Sequence, residues 1–363
     1  MSPATTTAAP PNQRILGWDL LRGLCALAVA IYHLLYWMNI VEIHTLGTYG
    51  VYLFFILSGA SLSYSYSKKI EENKFKFRNF LWIRYARLAP LYLLLMIILL
   101  PWKIYKDGAS TELAFKYVLN AALLHGFVNP SASSALIGGW SLGIEFIYYL
   151  LFPFLISFTS TTHRKWTCFI LLLAIQICWI HYTTLQSENN KPAITLYHQA
   201  PAFIAYFMGG ILLGAWRRMP AFKTVSIQRS AITITMGFCL LIAFDGATAG
   251  EELVGWRGLA CASTCFGMAW AATQMQIPKK LVALATHIGD ATYGLYLIHP
   301  VVFFGVVWAI LPRLGVASPE QWPSPTRELF IVAVIACSVA FALLSERYFE
   351  RPLRNRSKRH VAA

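Results

Sequence analysis

Apolar runs of about 17–25 residues recur along this chain from residue 19 to residue 349, and runs of that length match helices that cross a hydrocarbon core of about 30 Å. A transmembrane β-barrel would alternate apolar and polar residues with a period of two; these runs are solidly apolar. Hydrophobic residues fill 57% of the 363 positions and charged residues 13%, where a soluble chain carries about a quarter. The expected fold class is therefore all-α, a polytopic transmembrane helical bundle of about ten spans. Their bounds read 19–38, 48–67, 81–102, 140–158, 166–185, 200–216, 229–245, 256–275, 290–311 and 327–349. The segment 113–127 has helical periodicity but is short and carries or adjoins Glu112, Lys116 and His125. It reads as an interfacial or re-entrant helix.

Loop charge orients the spans. Lys68, Lys69, Lys74, Lys76, Arg78 and Arg84 follow the second span, Arg164 and Lys165 the fourth, Arg217, Arg218, Lys223 and Arg229 the sixth, and Lys279 and Lys280 the eighth. Arg351, Arg354, Arg356, Lys358 and Arg359 follow the last. The alternate loops are poor in basic residues or acidic, with Glu42, Glu251 and Glu252. Basic loops stay cytoplasmic, so both termini are expected in the cytoplasm of a multi-pass cell-membrane protein. An eleventh span at 113–127 would invert every later loop. Most of the net +14 charge is thus topological, and its dispersion over separate loops argues against nucleic acid as a partner.

Residues 1–13 are Ala/Thr/Pro-rich and expected to be disordered. Ala28-Val29-Ala30 resembles a signal-peptidase site only superficially, because Asp19 and Arg22 interrupt any leader core and the apolar run continues to Trp37. Residues 14–352 read as one transmembrane domain and 353–363 as a basic cytoplasmic tail. The seven cysteines all lie in apolar runs and read as small packing residues, with no disulfide framework and no metal site expected.

Ionisable residues inside apolar spans are costly and so are functional candidates. Arg22 and His33 are eleven residues apart in the first span. At 100° per residue they return to within about 20° of one face, separated by roughly 16 Å along the axis. The spacing suits a phosphate-sized anchor at one end of a shared cavity and a titratable imidazole at the other. The plainer alternative is a snorkelling arginine and a hydrogen-bonded core histidine. Arg84 and Arg87, three apart at the start of the third span, share a face suited to phosphate oxygens or, equally, to lipid headgroups. Glu145, near the outer end of the fourth span, is expected close to the depth of His33, where a carboxylate could orient an imidazole or merely cap a helix start. His299 stands before Pro300 in the ninth span, with Tyr296 one turn earlier. They could line a polar cavity or mark a structural kink.

Taken together these residues resemble the acyltransferase family 3 integral membrane proteins. The resemblance rests on Arg22 and His33, the Gly50–Gly59 segment GVYLFFILSG, Arg84 and Arg87, WSLGIEFIYY at Trp140–Tyr149, ATYGLYLIHP at Ala291–Pro300 and Glu350-Arg351-Pro352. They occur in family order across residues 14–352. One departure is Ala60, where an aromatic residue is usual. The resemblance implies a bacterial inner-membrane O-acyltransferase that moves an acyl group, often acetyl from acetyl-CoA, to a sugar hydroxyl of a cell-surface, lipid-linked or exported polysaccharide. Some members carry a fused extracytoplasmic hydrolase-like domain. None follows residue 352 here, so such a partner, or a polysaccharide-assembly protein, is expected as a separate chain.

The joint expectation is that Arg22, Arg84 and Arg87 hold the phosphates of acyl-CoA, while His33 takes the acceptor proton or carries the acyl group. Glu145 orients His33 or contacts the sugar. Trp37, Trp140 and Tyr148 stack on a sugar ring, and Ser141, Tyr296 and His299 complete the acceptor contacts. No metal is required. The rival from another class is a transporter or flippase of a lipid-linked glycan, in which Arg and His serve substrate binding or proton relay. The absence of an internal repeat argues against it.

Overall fold

The computed structural model describes residues 14–187, 193–248 and 250–362. The tail expected over residues 1–13 lies outside the described residues. Within hydrocarbon every backbone N–H and C=O must be satisfied inside the chain, which leaves helices as the open-ended solution. Twelve helices longer than a single turn follow in order among the described residues: α1 (Leu16–Trp37), α2 (His44–Glu71), α3 (Phe77–Asp107), α4 (Thr111–Ala121), α5 (Gly139–Phe158), α6 (Thr162–Leu185), α7 (Ile204–Arg217), α8 (Ile227–Ala243), α9 (Gly255–Gln274), α10 (Val282–Gly305), α11 (Ser324–Ser345) and α12 (Arg351–Ala362). Two two-residue strands, Val225–Ser226 and Met275–Gln276, pair in parallel.

Seven helices among the described residues are long and apolar enough to cross a membrane: α1, α2, α3, α5, α6, the helix built on α10 over Lys279–Leu314, and the one that runs from α11 into α12 over Ser324–Val361. The other expected spans coincide with α7, α8 and α9. α7 has 14 residues and α8 has 17, fewer than the about 20 that a perpendicular crossing takes. α9 has 20 residues but carries Arg257 and Gln274 together with Gly, Ser, Thr and Trp, which lower its hydropathy.

The basic loops converge on one end of the bundle. Arg218 after α7 lies 3.7 Å from Glu71 at the end of α2. Arg14 before α1 reaches Asp290 of α10 at 2.9 Å, and Arg351 of α12 reaches the same carboxylate at 2.5 Å. At the opposite end the Thr45 N–H donates to Asp245 at 2.8 Å, Thr48 donates to Glu252 at 3.2 Å, and Arg327 donates to the Met38 carbonyl at 3.4 Å.

α2 runs through the middle of the bundle and is the most enclosed of the seven long apolar helices, with 83% of its apolar window buried. Its crossing with α7 is backbone on backbone. A Cβ at Gly210 would stand 2.0 Å from the Ile56 carbonyl oxygen, and one at Gly59 would stand 2.1 Å from that of Phe207. Small residues at such crossings are how helices in lipid gain packing energy.

Between α3 and α5 the chain turns back on itself. α4 ends at a left-handed Leu123 (φ 57°), and the turn Leu124–Phe127 tucks against α5 so closely that a Cβ at Gly126 would stand 2.4 Å from the Gly143 backbone. Asn120 pins this cap with all four of its bonds. Its Oδ1 accepts from Tyr92 at 2.5 Å and from the Ala135 N–H at 3.0 Å, and its amide donates to the Lys116 and Ser133 carbonyls at 2.7 and 2.6 Å. His125, which interrupts the apolar pattern, lies buried against Tyr92 and bonds the Gly139 carbonyl at 2.9 Å. Burial holds its imidazole below the usual histidine range, and the carbonyl only partly opposes that. The segment 113–127 is thus a helix and a return turn packed on α5. As a result α5 begins beneath the cap, away from the far surface of the bundle.

Candidate active site

A polar cavity of about 500 Å³ enters from the basic end, between α1, α2, α3, α5, α10 and α12. Ligand pockets span about 300–1,000 Å³. Seven Lys/Arg and five Asp/Glu side chains line it, including Arg14, Arg22, Arg84, Arg87, Arg354 and Lys358. Several of the carboxylates are already engaged: Arg14 and Arg351 hold Asp290, Arg14 also holds Asp19, and Arg354 pairs with Glu346 at 2.6 Å. What faces the space is net basic.

The three expected arginines all line this cavity. Arg22 donates to the Leu57 carbonyl at 2.7 Å and lies 3.7 Å from Asp19. Arg84 is buried among Tyr66, Phe80 and Tyr149, with its guanidinium carbon 5.1–5.8 Å from their ring centres. It donates to the Tyr66 hydroxyl at 3.1 Å, and its buried Nε–H has no partner. Arg87 makes no ion pair or hydrogen bond among the described residues. A buried guanidinium N–H without an acceptor is costly, so the Nε–H of Arg84 and the half-buried, unpaired Arg87 leave donors for a polyanion.

Glu145 lines the same cavity. It accepts from Ser58 at 2.8 Å and from Tyr149, one helical turn away. It does not meet His33, and the reason is depth. Because α5 starts beneath the cap, Ser141 sits level with Tyr296 of α10, their hydroxyls 2.9 Å apart. Glu145 is one turn farther toward the basic end, and His299 one turn farther the other way. Glu145 thus faces Arg22 and not the imidazole.

His33 has a different partner. Its Nδ1 lies 3.0 Å from Nε2 of His299, and His299 Nδ1 lies 2.9 Å from the Leu295 carbonyl oxygen. Trp37, four residues on, stacks on His33 with ring centres 4.9 Å apart and planes within 4°. The face shared by Arg22 and His33 is real, but the cavity that holds Arg22 ends at Ser141, Phe54 and Tyr296. His33 and His299 lie beyond that end. Tyr296 also donates to the Gly138 carbonyl at 3.0 Å.

The expected sugar-stacking residues separate. Trp37 is half-buried against the histidine pair. Trp140 packs at a tilt against His198, with ring centres 4.1 Å apart, and His198 bonds Ser131 of the cap at 2.7 Å. Tyr148 faces the core: it is wholly buried between Phe55 and Phe207 and donates to the Ala200 carbonyl at 2.7 Å. Residues three and four after Glu145 both lie near its face; in the structure Tyr148 turns to Phe207 of α7 and Tyr149 to Glu145. Tyr149 is therefore the tyrosine bonded to Glu145, and Tyr148 lies in the core. Ser58, within the Gly50–Gly59 segment, also lines the cavity, as do Arg354 and Lys358 of the expected basic tail, which belong to α12. Nothing local in the sequence signals those three. Among the described residues no His, Cys, Asp and Glu side chains gather as a metal-ligand set.

A family model described as an acyltransferase domain matches residues 15–345. The chain is 24% identical to the peptidoglycan O-acetyltransferase OatA of Listeria monocytogenes over 93% of its own length and 55% of that protein. It is 25% identical to the O-acetyltransferase OatA of Staphylococcus aureus strain NCTC 8325 over 94% of its length and 57% of that protein. It is 24% identical to the acyltransferase MdmB of Streptomyces mycarofaciens over 86% of its length and 82% of that protein. The chain thus spans little more than half the length of the two OatA relatives. No solved structure matches. The family model spans nearly the whole helical bundle, with Arg22, Arg84, Arg87, Glu145 and the histidine pair inside it, and the chain belongs to the acyltransferase 3 family of membrane O-acyltransferases.

Proposed function

We propose that this enzyme transfers an acyl group, acetyl in its simplest form, from acyl-CoA in the cytoplasm to a sugar hydroxyl of a cell-surface, lipid-linked or exported polysaccharide. In this reading α7, α8 and α9 also cross the membrane, making ten spans with both termini cytoplasmic, and the basic end is the cytoplasmic end. The observation that carries the reading is the arginine cavity that stops one helical turn short of an imidazole pair. Arg87 and the open N–H of Arg84 suit phosphate oxygens, Arg22 stands deeper, and a thioester at the inner tip would reach the level of Tyr296.

The chemistry asked of the chain is modest. His33, as general base, takes the proton of the acceptor hydroxyl while that oxygen bonds to the thioester carbonyl carbon. The carbon–sulfur bond then breaks, and the proton passes from His33 to the departing sulfur. Glu145 supports the donor side by balancing Arg22 and by holding Ser58 and Tyr149. Trp37 offers the sugar an aromatic face beside the base. The test is direct: protein purified into liposomes should release CoA from acetyl-CoA when an oligosaccharide acceptor is present, and His33→Ala should not. A wild-type preparation that never consumes acetyl-CoA, or an active His33→Ala, would overturn the reading.

A further inference from the structure

We propose that His299 is a positioning residue that fixes the tautomer of His33, so that Nε2 of His33 presents a lone pair to the acceptor hydroxyl. The inference rests on the reading of His33 as base and adds a role for its neighbour. The argument starts at a backbone atom. A carbonyl oxygen can only accept a hydrogen bond, so at 2.9 Å from the Leu295 oxygen the hydrogen of His299 resides on Nδ1. The Nε2 of a neutral His299 is then bare and can only accept. It lies 3.0 Å from Nδ1 of His33, so His33 carries its hydrogen on Nδ1 and its own Nε2 is bare.

The two rings cannot readily exchange this arrangement. His299 is 1% exposed. His33 packs against both His299, with planes at 18°, and Trp37, with planes at 4°, and those two rings also meet each other at 6.1 Å. The Nε2 of His33 has no partner among the described residues. Without His299 a neutral imidazole is free to hold its hydrogen on Nε2 and to offer the acceptor a donor, which cannot take a proton.

The same chain of bonds serves the reacting state. When Nε2 of His33 takes the hydroxyl proton the ring becomes an imidazolium, and its Nδ1–H donates to His299 more strongly as a charge-assisted bond. The proton leaves again from Nε2 to the departing sulfur, and the Nδ1 hydrogen never moves. His299 touches neither substrate.

Two variants and one spectrum test this. His299→Leu removes the acceptor. His299→Gln keeps an amide oxygen where Nε2 stood. His299→Leu should lower kcat by at least about 100-fold, as expected when a base is held in the wrong tautomer, with KM for acetyl-CoA changed less than about twofold. His299→Gln should recover most of that loss. In ¹⁵N-histidine NMR of the membrane-embedded wild type, His33 should show hydrogen on Nδ1 and a bare Nε2. Full kcat in His299→Leu beside an inactive His33→Ala sinks the positioning role alone, as does a wild-type spectrum with hydrogen on Nε2 of His33. An active His33→Ala instead sinks the reading beneath it. The spectrum needs no variant to fold.

Discussion

Ser58 of α2 donates to Glu145 of α5 at 2.8 Å, one residue along from the Leu57 carbonyl that holds Arg22. A carboxylate and a guanidinium are thus tied to adjacent positions of the most enclosed of the long apolar helices. Glu145→Gln keeps an acceptor for Ser58 and Tyr149 and removes a negative charge beside the donor cavity. KM for acyl-CoA should hold or fall. Glu145→Ala strips both hydroxyls of their partner and should lower stability by about 1–3 kcal/mol, read as a lower unfolding temperature in detergent. Equal and complete loss of transfer in both variants, with both folded, would mean that the charge itself takes part in the chemistry.

Arg84 and Arg87 should respond differently. Arg87 has no protein partner among the described residues, so Arg87→Ala should weaken the donor alone. A lost guanidinium–phosphate contact of about 1–3 kcal/mol raises KM for acyl-CoA about 5- to 150-fold. Arg84→Ala should add a loss of stability, because Arg84 packs among three rings and bonds Tyr66. CoA affinity unchanged in Arg87→Ala would leave the pair as a topological anchor.

The cap over α5 should loosen in acid. His125 is held below its ordinary value by burial, so below about pH 6.5 the unfolded segment binds a proton that the folded one resists. Stability of the cap is then complete above that pH and declines as pH falls through it. Hydrogen exchange of residues 111–138, corrected for the intrinsic pH dependence, should rise on acidification, and His125→Gln should flatten the response. A wild-type profile as flat as that of the variant would remove His125 as the cause.

Donor and acceptor should arrive from opposite sides. Sealed vesicles of known orientation, with glycan acceptor in the compartment equivalent to the cell exterior, should acylate it when acyl-CoA is supplied at the basic end of the protein only. Transfer from acyl-CoA supplied solely at the opposite face would reverse the topology. Cysteines introduced in the 39–47 and 68–80 loops should label from outside and from inside respectively, which separates a wrong topology from a cavity open to both faces.

What the sequence could reveal here is set by the range of each interaction. Helix positions followed from apolar length, and the convergence of basic loops at one end followed from their charge. The shared face of Arg22 and His33 followed from the 100° step. The partner of His33 did not, because His299 is 266 residues away and no periodicity links two helices. Glu145 read as level with His33 because helix starts usually lie at the surface. α5 starts deeper, owing to the contact of Gly126 with Gly143, a packing fact that no single-helix rule contains. Residues 353–363 read as a basic cytoplasmic tail because charge alone does not distinguish a solvated segment from one whose arginine closes an ion pair, as Arg354 does with Glu346.

The end wall of the cavity has an electrical consequence. A water-filled cleft takes the potential of the compartment it opens to, so a polar cavity that reaches Ser141 and Tyr296 carries one bath deep into the bundle. The transmembrane voltage then falls across the septum between Tyr296 and the far surface, which is shorter than the full span, and the field there is steeper than in the surrounding lipid. A full elementary charge moved across the whole potential changes energy by about 2.3 kcal/mol per 100 mV. A proton exchanged at His33 moves within that septum, so the rate of acyl transfer in energised vesicles should change with the imposed voltage even where the concentrations of both substrates are fixed.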